Sequence, residues 1–376
     1  MDIKLLSPSD MMKHNARVLL KLIKKKNVLS RADASRMLQC SRSTASKLMS
    51  YLVGLSLVTP VGTGNHGIGR NSDLFQFNPR ACSVLGVDVK PDSIQFILSD
   101  LNGQIHSRRE IENTDFSPEK TVEVIHKITQ EILDDSPIPE ARPLGVGVMI
   151  PGWVSDDGMV LNSDPLGWKK PVRYREMLNR DSSLPYQILN DANALVLAES
   201  AFGGNGNCRN LLYIENPDDI GGAYTDSSHN LLTGENSLAM EIGKMKVNIG
   251  DQFYLVEDVL GISKIQKRWG ITVQSLKDLF DSSDAETAEV CLQIADIFGQ
   301  IIVQTSALLN PYAIMINTPY IKSPGALDFL KKTASLHLAE TPLKETQLLL
   351  PSLERSALGG ACWSILNSSF DFVIKD

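Results

Sequence analysis

Two short stretches of this chain carry acids and amides where their neighbours are apolar. The first, NDANA (190–194), follows YQIL and precedes LVLAESAFG, so Asn190 and Asp191 fall where a buried strand delivers its end into a helix. That junction is the usual ligand edge of an open α/β sheet. A carboxylate there can take a proton from a hydroxyl or accept its hydrogen bond. Asp and Asn at such a junction can equally be a helix cap and a turn residue. The second stretch, AMEIGKMKVNIGDQFYLVED (239–258), sets Glu241 and Glu257 around Lys244 and contains neither Cys nor His. Its glutamates can form a pocket wall or sit incidentally in a loop.

The elements that would hold these residues alternate strand and helix. VLGVDV, IQFILSD and QIHSRREIE, separated by turns at KPDS and Asn102-Gly103, make an antiparallel meander from residue 84. A helix is expected over 118–134, then a buried strand LGVGVMIPG, then YQILN with its helix, then the strand RNLLYIEN. Two such halves imply α/β lobes with a cleft between them.

The first 80 residues read differently. They hold 13 Lys and Arg against four acids, a surplus of +9, while the remainder carries −16. Apolar spacing in NARVLLKLIKKKN (15–27) fits a helix with one buried face. SRADASRML supplies a second, capped by Ser30, with Ala32, Ala34, Met37 and Leu38 inward. After Gln39-Cys40, a third helix opens at Ser41, with Ala45, Leu48, Met49 and Leu52 as its core face and Gly54 as its terminator. Short or cationic residues crowd its outer face, namely Arg42, Ser43, Thr44, Ser46 and Lys47, as a helix entering a major groove requires. The following strand, Gly-rich tip and strand have the shape of a wing, with Arg70 in the turn placed to reach a minor groove. Double-stranded operator DNA is the expected partner, with Arg31 among the candidate contacts, although a three-helix module of this size can also bind protein.

Three further readings bound the class. The five cysteines are scattered singly, so no metal knuckle or redox pair is visible. No apolar run reaches bilayer-spanning length and no signal peptide opens the chain, from which no membrane association and a cytoplasmic location are expected. At 376 residues, division into domains is expected at 1–80, 81–195 and 196–376.

The whole chain from residue 15 resembles the repressor branch of the ROK family. The motifs carrying the resemblance run in order: SRADASRMLQCSRSTASKLMSYLVGLSLV, GIGR, GVDV, GVGVMIPGWV, LNSDPLGW (161–168), ILNDANA, MEIGKM, LLNPYAIMI (309–316) and ALGGA (357–361). The resemblance implies a winged helix-turn-helix followed by an actin-like, ribonuclease-H-like pair of lobes that closes on a sugar. It places Asn162, Asn190, Asp191, Glu241 and Glu257 toward that sugar, and matches Asp191 to the base of the family's kinases. It also implies a homodimer or homotetramer paired through the second lobe, with the C-terminal helix able to return to the first.

Departures from the family pattern sharpen the expectation. Where kinases carry an Asp-x-Gly-Gly-Thr-like turn, this chain has DVKPDS (88–93), in which Pro91 lacks an N–H and Asp92 adds negative charge. The second phosphate loop reads NPDDIGGAY (216–224), with Pro217, Asp218 and Asp219 at its start. Carboxylates facing a polyphosphate repel it by several kcal/mol, roughly, at a partly buried site, so an enzyme is not expected. Lys244 replaces the zinc-binding His of the family and the cysteine loop is missing, so neither metal nor cofactor is expected. An ammonium at Lys244 further suggests a sugar phosphate or uronate as ligand, unless Lys244 pairs with Glu241 or Glu257.

Overall fold

The computed structural model describes residues 8–64, 72–112, 115–203, 209–216, 220–338, 345–353, 358–362 and 364–365. Arg70 and the wing tip lie outside the described residues, as do Pro217, Asp218, Asp219 and Cys208.

The N-terminal unit is built from helix α1 (Pro8–Lys26), strand β1 (Val28–Ser30), helices α2 (Arg31–Met37) and α3 (Arg42–Gly54), and strands β2 (Val58–Gly64) and β3 (Ser72–Phe77). Ser30 and Asp33 close a reciprocal cap on α2, each side chain accepting from the other's backbone N–H at 3.1 Å. Ser41 caps α3 by accepting from the Thr44 N–H at 3.1 Å. The sheet order is β1-β3-β2, antiparallel throughout, so the wing gains a third strand that periodicity over three residues could not signal. Ala34 packs inward as expected, but Ala32 is exposed and Met37 is 44% exposed. A helix of seven residues turns only one narrow face to the core, which Ala34 occupies.

The first lobe comes next: β4 (Cys82–Val89), β5 (Ser93–Asp100), β6 (Ile105–Glu112), α4 (Pro118–Asp134), β7 (Arg142–Ile150), β8 (Trp153–Val154), β9 (Val160–Asn162), α5 (Tyr174–Arg180) and β10 (Tyr186–Asn190). Its sheet runs β10-β7-β4-β5-β6, with the β4–β5–β6 meander antiparallel and β7 and β10 parallel to β4. Helix α6 (Asp191–Phe202) then leads into the second lobe. Eight of its residues from Ala192 to Ser200 are buried, because it is packed between the lobes rather than on a surface.

The second lobe contains β11 (Leu211–Glu215), β12 (Gly221–Thr225), the single turn Ile242–Lys244, β13 (Lys246–Ile249), β14 (Gln252–Leu255), α7 (Val256–Leu260), α8 (Ile262–Trp269), α9 (Val273–Phe280), α10 (Glu289–Leu309), β15 (Ala313–Asn317), α11 (Pro324–Leu338) and β16 (Gln347–Leu349). Its sheet order, β12-β11-β15-β16, repeats the β5-β4-β7-β10 pattern of the first lobe, with one antiparallel and two parallel pairings. This is the duplicated ribonuclease-H-like arrangement that the resemblance implied. By length and composition α10 could cross a bilayer, contrary to the expectation that no run is long and apolar enough. Its Ile294, Ile297, Phe298 and Ile301 instead fill the second-lobe core.

Two joints tie these units together. Residues 358–362 return to the first lobe, where Gly147 and Gly360 allow backbone-to-backbone approach: a Cβ on Gly147 would lie 2.0 Å from the Ala361 carbonyl oxygen. The N-terminal unit and the first lobe, in turn, share one core. Leu19, Leu20 and Ile23 of α1, Leu52 of α3 and Phe77 of β3 cluster with Val84, Ile97, Leu101 and Cys362. Lys24 reinforces that joint by donating to the Leu101 carbonyl at 3.1 Å.

Candidate functional sites

The cleft gathers its polar residues at the C-terminal ends of corresponding strands in the two lobes. Asp88 stands near the end of β4, Asn190 at the end of β10 and Glu215 at the end of β11. Asn190 caps α6, its Oδ1 accepting from the Asn193 N–H at 2.8 Å. Asp191 is therefore the first residue of α6 rather than its cap, and its Oδ1 accepts from the Ala192 N–H at 3.0 Å. Of the two residues, Asn190 is thus the cap that the sequence left open, and Asp191 begins the helix.

Electrostatics in the cleft are dominated by acids. Burial pushes the Asp191 carboxyl up to about 6, and Asp88 and Glu241 add repulsion. Burial also raises Glu215 well above the usual carboxylate range, with Asp191 and Asp88 contributing. Asp88 is raised by burial in spite of Lys90, whose ammonium lies 3.3 Å away. Asp88 and Glu215 did not figure among the sequence candidates. The available signal was a single acid within each otherwise apolar strand, VLGVDV and LLYIE.

Glu241 precedes the turn 242–244, and burial raises its carboxyl in spite of the nearby Lys244 ammonium. Lys244 does not stand free as an anion receptor. Its Nζ lies 2.7 Å from both oxygens of Glu257 on α7, one of the pairings the sequence had left open. That pair ties the turn to the helix behind the β13–β14 hairpin. The residues do not fit a zinc ion at the family's position: a paired ammonium offers no lone pair, and the hairpin segment NIGDQFY carries no sulfur. Asn162 is half-buried on β9, register partner to Trp153. Asp191, Glu241, Lys244 and Glu257 thus feel one another electrostatically or pair directly, while Asn162 is tied to them only by its strand pairing with Trp153.

The turn DVKPDS is a tight connection between β4 and β5, closed by the Lys90 N–H donating to the Ser93 carbonyl at 2.8 Å. With Pro91 and Asp92 at its tip it presents an exposed carboxylate and no glycine cradle.

On α3, Ser41, Arg42, Ser43, Thr44 and Lys47 are exposed and Ser46 is half-buried. The Ser41 hydroxyl is engaged in the cap. Arg31 is held against the wing, its guanidinium 3.2 Å from Asp73 and 4.5 Å from the Phe75 ring centre. Arg42 and Lys47 are the exposed cations of the expected groove-facing surface.

Comparison with known proteins places this geometry. The sequence pattern described as the ROK family matches residues 84–366. The xylose repressor of Bacillus spizizenii is 25% identical over 375 residues, covering 96% of this chain and 97% of its own. Among solved structures, a ROK family transcriptional regulator described as a homolog of the E. coli MLC protein superposes with a TM-score of 0.80 at 18% identity, covering 97% of this chain and 98% of that one. A ROK hexokinase from Thermus thermophilus superposes with a TM-score of 0.64 at 20% identity, covering 76% of this chain and 99% of its own.

Proposed function

The chain belongs to the ROK family, and on that premise we propose that it is a sugar-responsive transcriptional repressor rather than a kinase. Its winged helix-turn-helix holds operator DNA, and a sugar bound between the lobes releases it. The observation that carries this reading is the core shared by α1, α3 and the first lobe. A DNA-binding unit packed in that way moves with the lobe, so closing the cleft re-aims α3. In a homodimer or homotetramer, that changes the spacing of paired units, which must match half-sites about 34 Å apart. Exposed Phe253, Leu308 and Leu336 support pairing through the second lobe.

The acids of the cleft favour a neutral polyhydroxy ligand, whose hydroxyls donate to Asp191, Glu241 and Glu257 and accept from Asn190 and Asn162. The pairing of Lys244 with Glu257 counts against the sugar phosphate or uronate suggested by the sequence. Sugar operons are the expected targets, in keeping with the relative named a xylose repressor.

The test is operator binding at fixed salt with D-xylose, D-glucose or N-acetyl-D-glucosamine added, together with an ATP-dependent phosphorylation assay. Release by one neutral sugar without phosphorylation supports the reading. Phosphorylation of a hexose that is abolished by Asp191→Asn would replace it with the kinase.

A further inference from the structure

The hairpin after β7 reaches from the first lobe to the second. Gly152 opens it at a φ of +117°, and a Cβ there would meet the Asn162 carbonyl oxygen at 2.3 Å, so only glycine lets the two strands lie this close. Trp153 and Asn162 are then direct antiparallel partners, which puts their side chains on the same face of the ribbon. Further along, the Asp156 N–H donates to Ser237 Oγ at 2.8 Å, and Thr233 Oγ1 donates to Asp156 Oδ2 at 3.3 Å. The hairpin is thereby fastened to the 233–241 segment that ends in Glu241.

Trp153 stands between these contacts. Trp153 is 40% exposed, and the hairpin's bonds to the 233–241 segment bring it to the side of the opposite lobe that carries Glu241. An exposed aromatic ring next to fixed hydrogen-bond acceptors is costly to keep in water, and suits a ligand that is apolar on its flat face and polar at its rim. A pyranose ring has that character, because its C–H groups cluster on a face while its hydroxyls project around the edge.

We propose that Trp153 is a specificity-determining residue of this cleft, covering the C–H face of a cyclic sugar whose hydroxyls reach the acids beside it. The role presupposes the sugar cleft proposed above. A cyclic sugar offers the indole a flat C–H face; an open-chain polyol has no such face to cover.

The residue also supplies its own signal. Of the four tryptophans, Trp363 lies outside the described residues, Trp168 is buried with its indole N–H on the Phe116 carbonyl, and Trp269 lies under Arg268. The experiment titrates the full-length protein with D-xylose, D-glucose, N-acetyl-D-glucosamine and xylitol, following heat of binding and tryptophan emission. The expected result is an emission change with one cyclic sugar and at least tenfold weaker binding of xylitol. Trp153→Ala is expected to lose at least tenfold in sugar affinity. Trp153→Phe is expected to restore most of that affinity without the emission change, since it keeps a ring but has no indole. Wild-type affinity in Trp153→Ala, an emission change that survives in Trp153→Phe, or equal binding of xylitol would overturn the role of Trp153 and leave the sugar site standing. No heat or thermal shift with any of the sugars in the wild-type protein would overturn the site and this role together.

Discussion

Around α3 the polar side chains are short or cationic and face water, whereas in the cleft they are carboxylates withdrawn from it. The first arrangement draws in a polyanion, since exposed Arg42 and Lys47 can displace counterions from a phosphate backbone without giving up their own hydration. The second repels one. Burial raises Asp88, Asp191 and Glu215, with Asp88 adding to Asp191 and both adding to Glu215; such acids disfavour a polyphosphate, yet acids and amides at fixed positions suit hydroxyl groups well. The proposed function thus asks one chain to favour phosphate at one end and disfavour it at the other. The lesson is that the surroundings of a polar group, more than its charge alone, indicate what it meets.

Substitutions can break either side of this contrast separately. The largest effect is expected for Arg42→Ala with Lys47→Ala. Operator affinity should fall by about 3 kcal/mol or more at low salt, and the slope of log affinity against log salt should flatten by about 2, with sugar binding untouched. An unchanged slope in a binding titration at three salt concentrations would remove α3 from the DNA surface. Next comes Glu241→Ala, which should weaken sugar binding by about 2 kcal/mol through loss of a charge-assisted bond, while operator affinity without sugar stays as it was. Calorimetry and operator binding on the same sample separate the two.

Asp191→Asn probes the buried charge itself. The folded carboxyl holds its proton up to a pH of about 6, against 3.8 for the ordinary group. Between those values the unfolded chain binds fewer protons than the folded one, so the stability contribution present below 3.8 is lost as pH rises through 6. Asn cannot ionise, and the variant should be more stable than wild type above pH 6 by roughly 1–3 kcal/mol, with the two converging toward about pH 4. Melting curves across roughly pH 4–8 that run parallel would contradict it. The smallest effect belongs to Lys244→Met. Its partner Glu257 is 26% exposed and Lys244 itself 50%, so the pair should contribute less than about 1 kcal/mol to thermal stability. A larger loss would make that pair a structural staple of the second lobe.

How far these regions could be read from sequence differs for physical reasons. The N-terminal unit was legible almost element by element, because Ala45, Leu48, Met49 and Leu52 recur at helical spacing and Ser30 and Ser41 are strong caps. What escaped was β1, too short to show a period, and the exposure of Ala32 and Met37 on a seven-residue helix. In the cleft, Asn190 and Asp191 were visible because a strand-to-helix junction marks a ligand edge. Glu241 and Glu257 gained direction only from the resemblance. Asp88 and Glu215 were passed over although each is a lone acid in an apolar strand, and the contacts that fasten the Trp153 hairpin to the second lobe lie far apart in sequence, where no local spacing encodes them. The partner of Lys244 was likewise undecidable until α7 was seen to bring Glu257 within reach.

The most direct test of sugar-controlled DNA binding is operator affinity measured at one salt concentration, with and without a saturating neutral sugar chosen by thermal shift, in wild type and in Glu241→Ala. The duplex is one selected by repeated binding to the protein. The predicted result is that the sugar weakens wild-type binding by at least tenfold and leaves Glu241→Ala unaffected. Equal operator affinity with and without the sugar in the wild-type protein would contradict it.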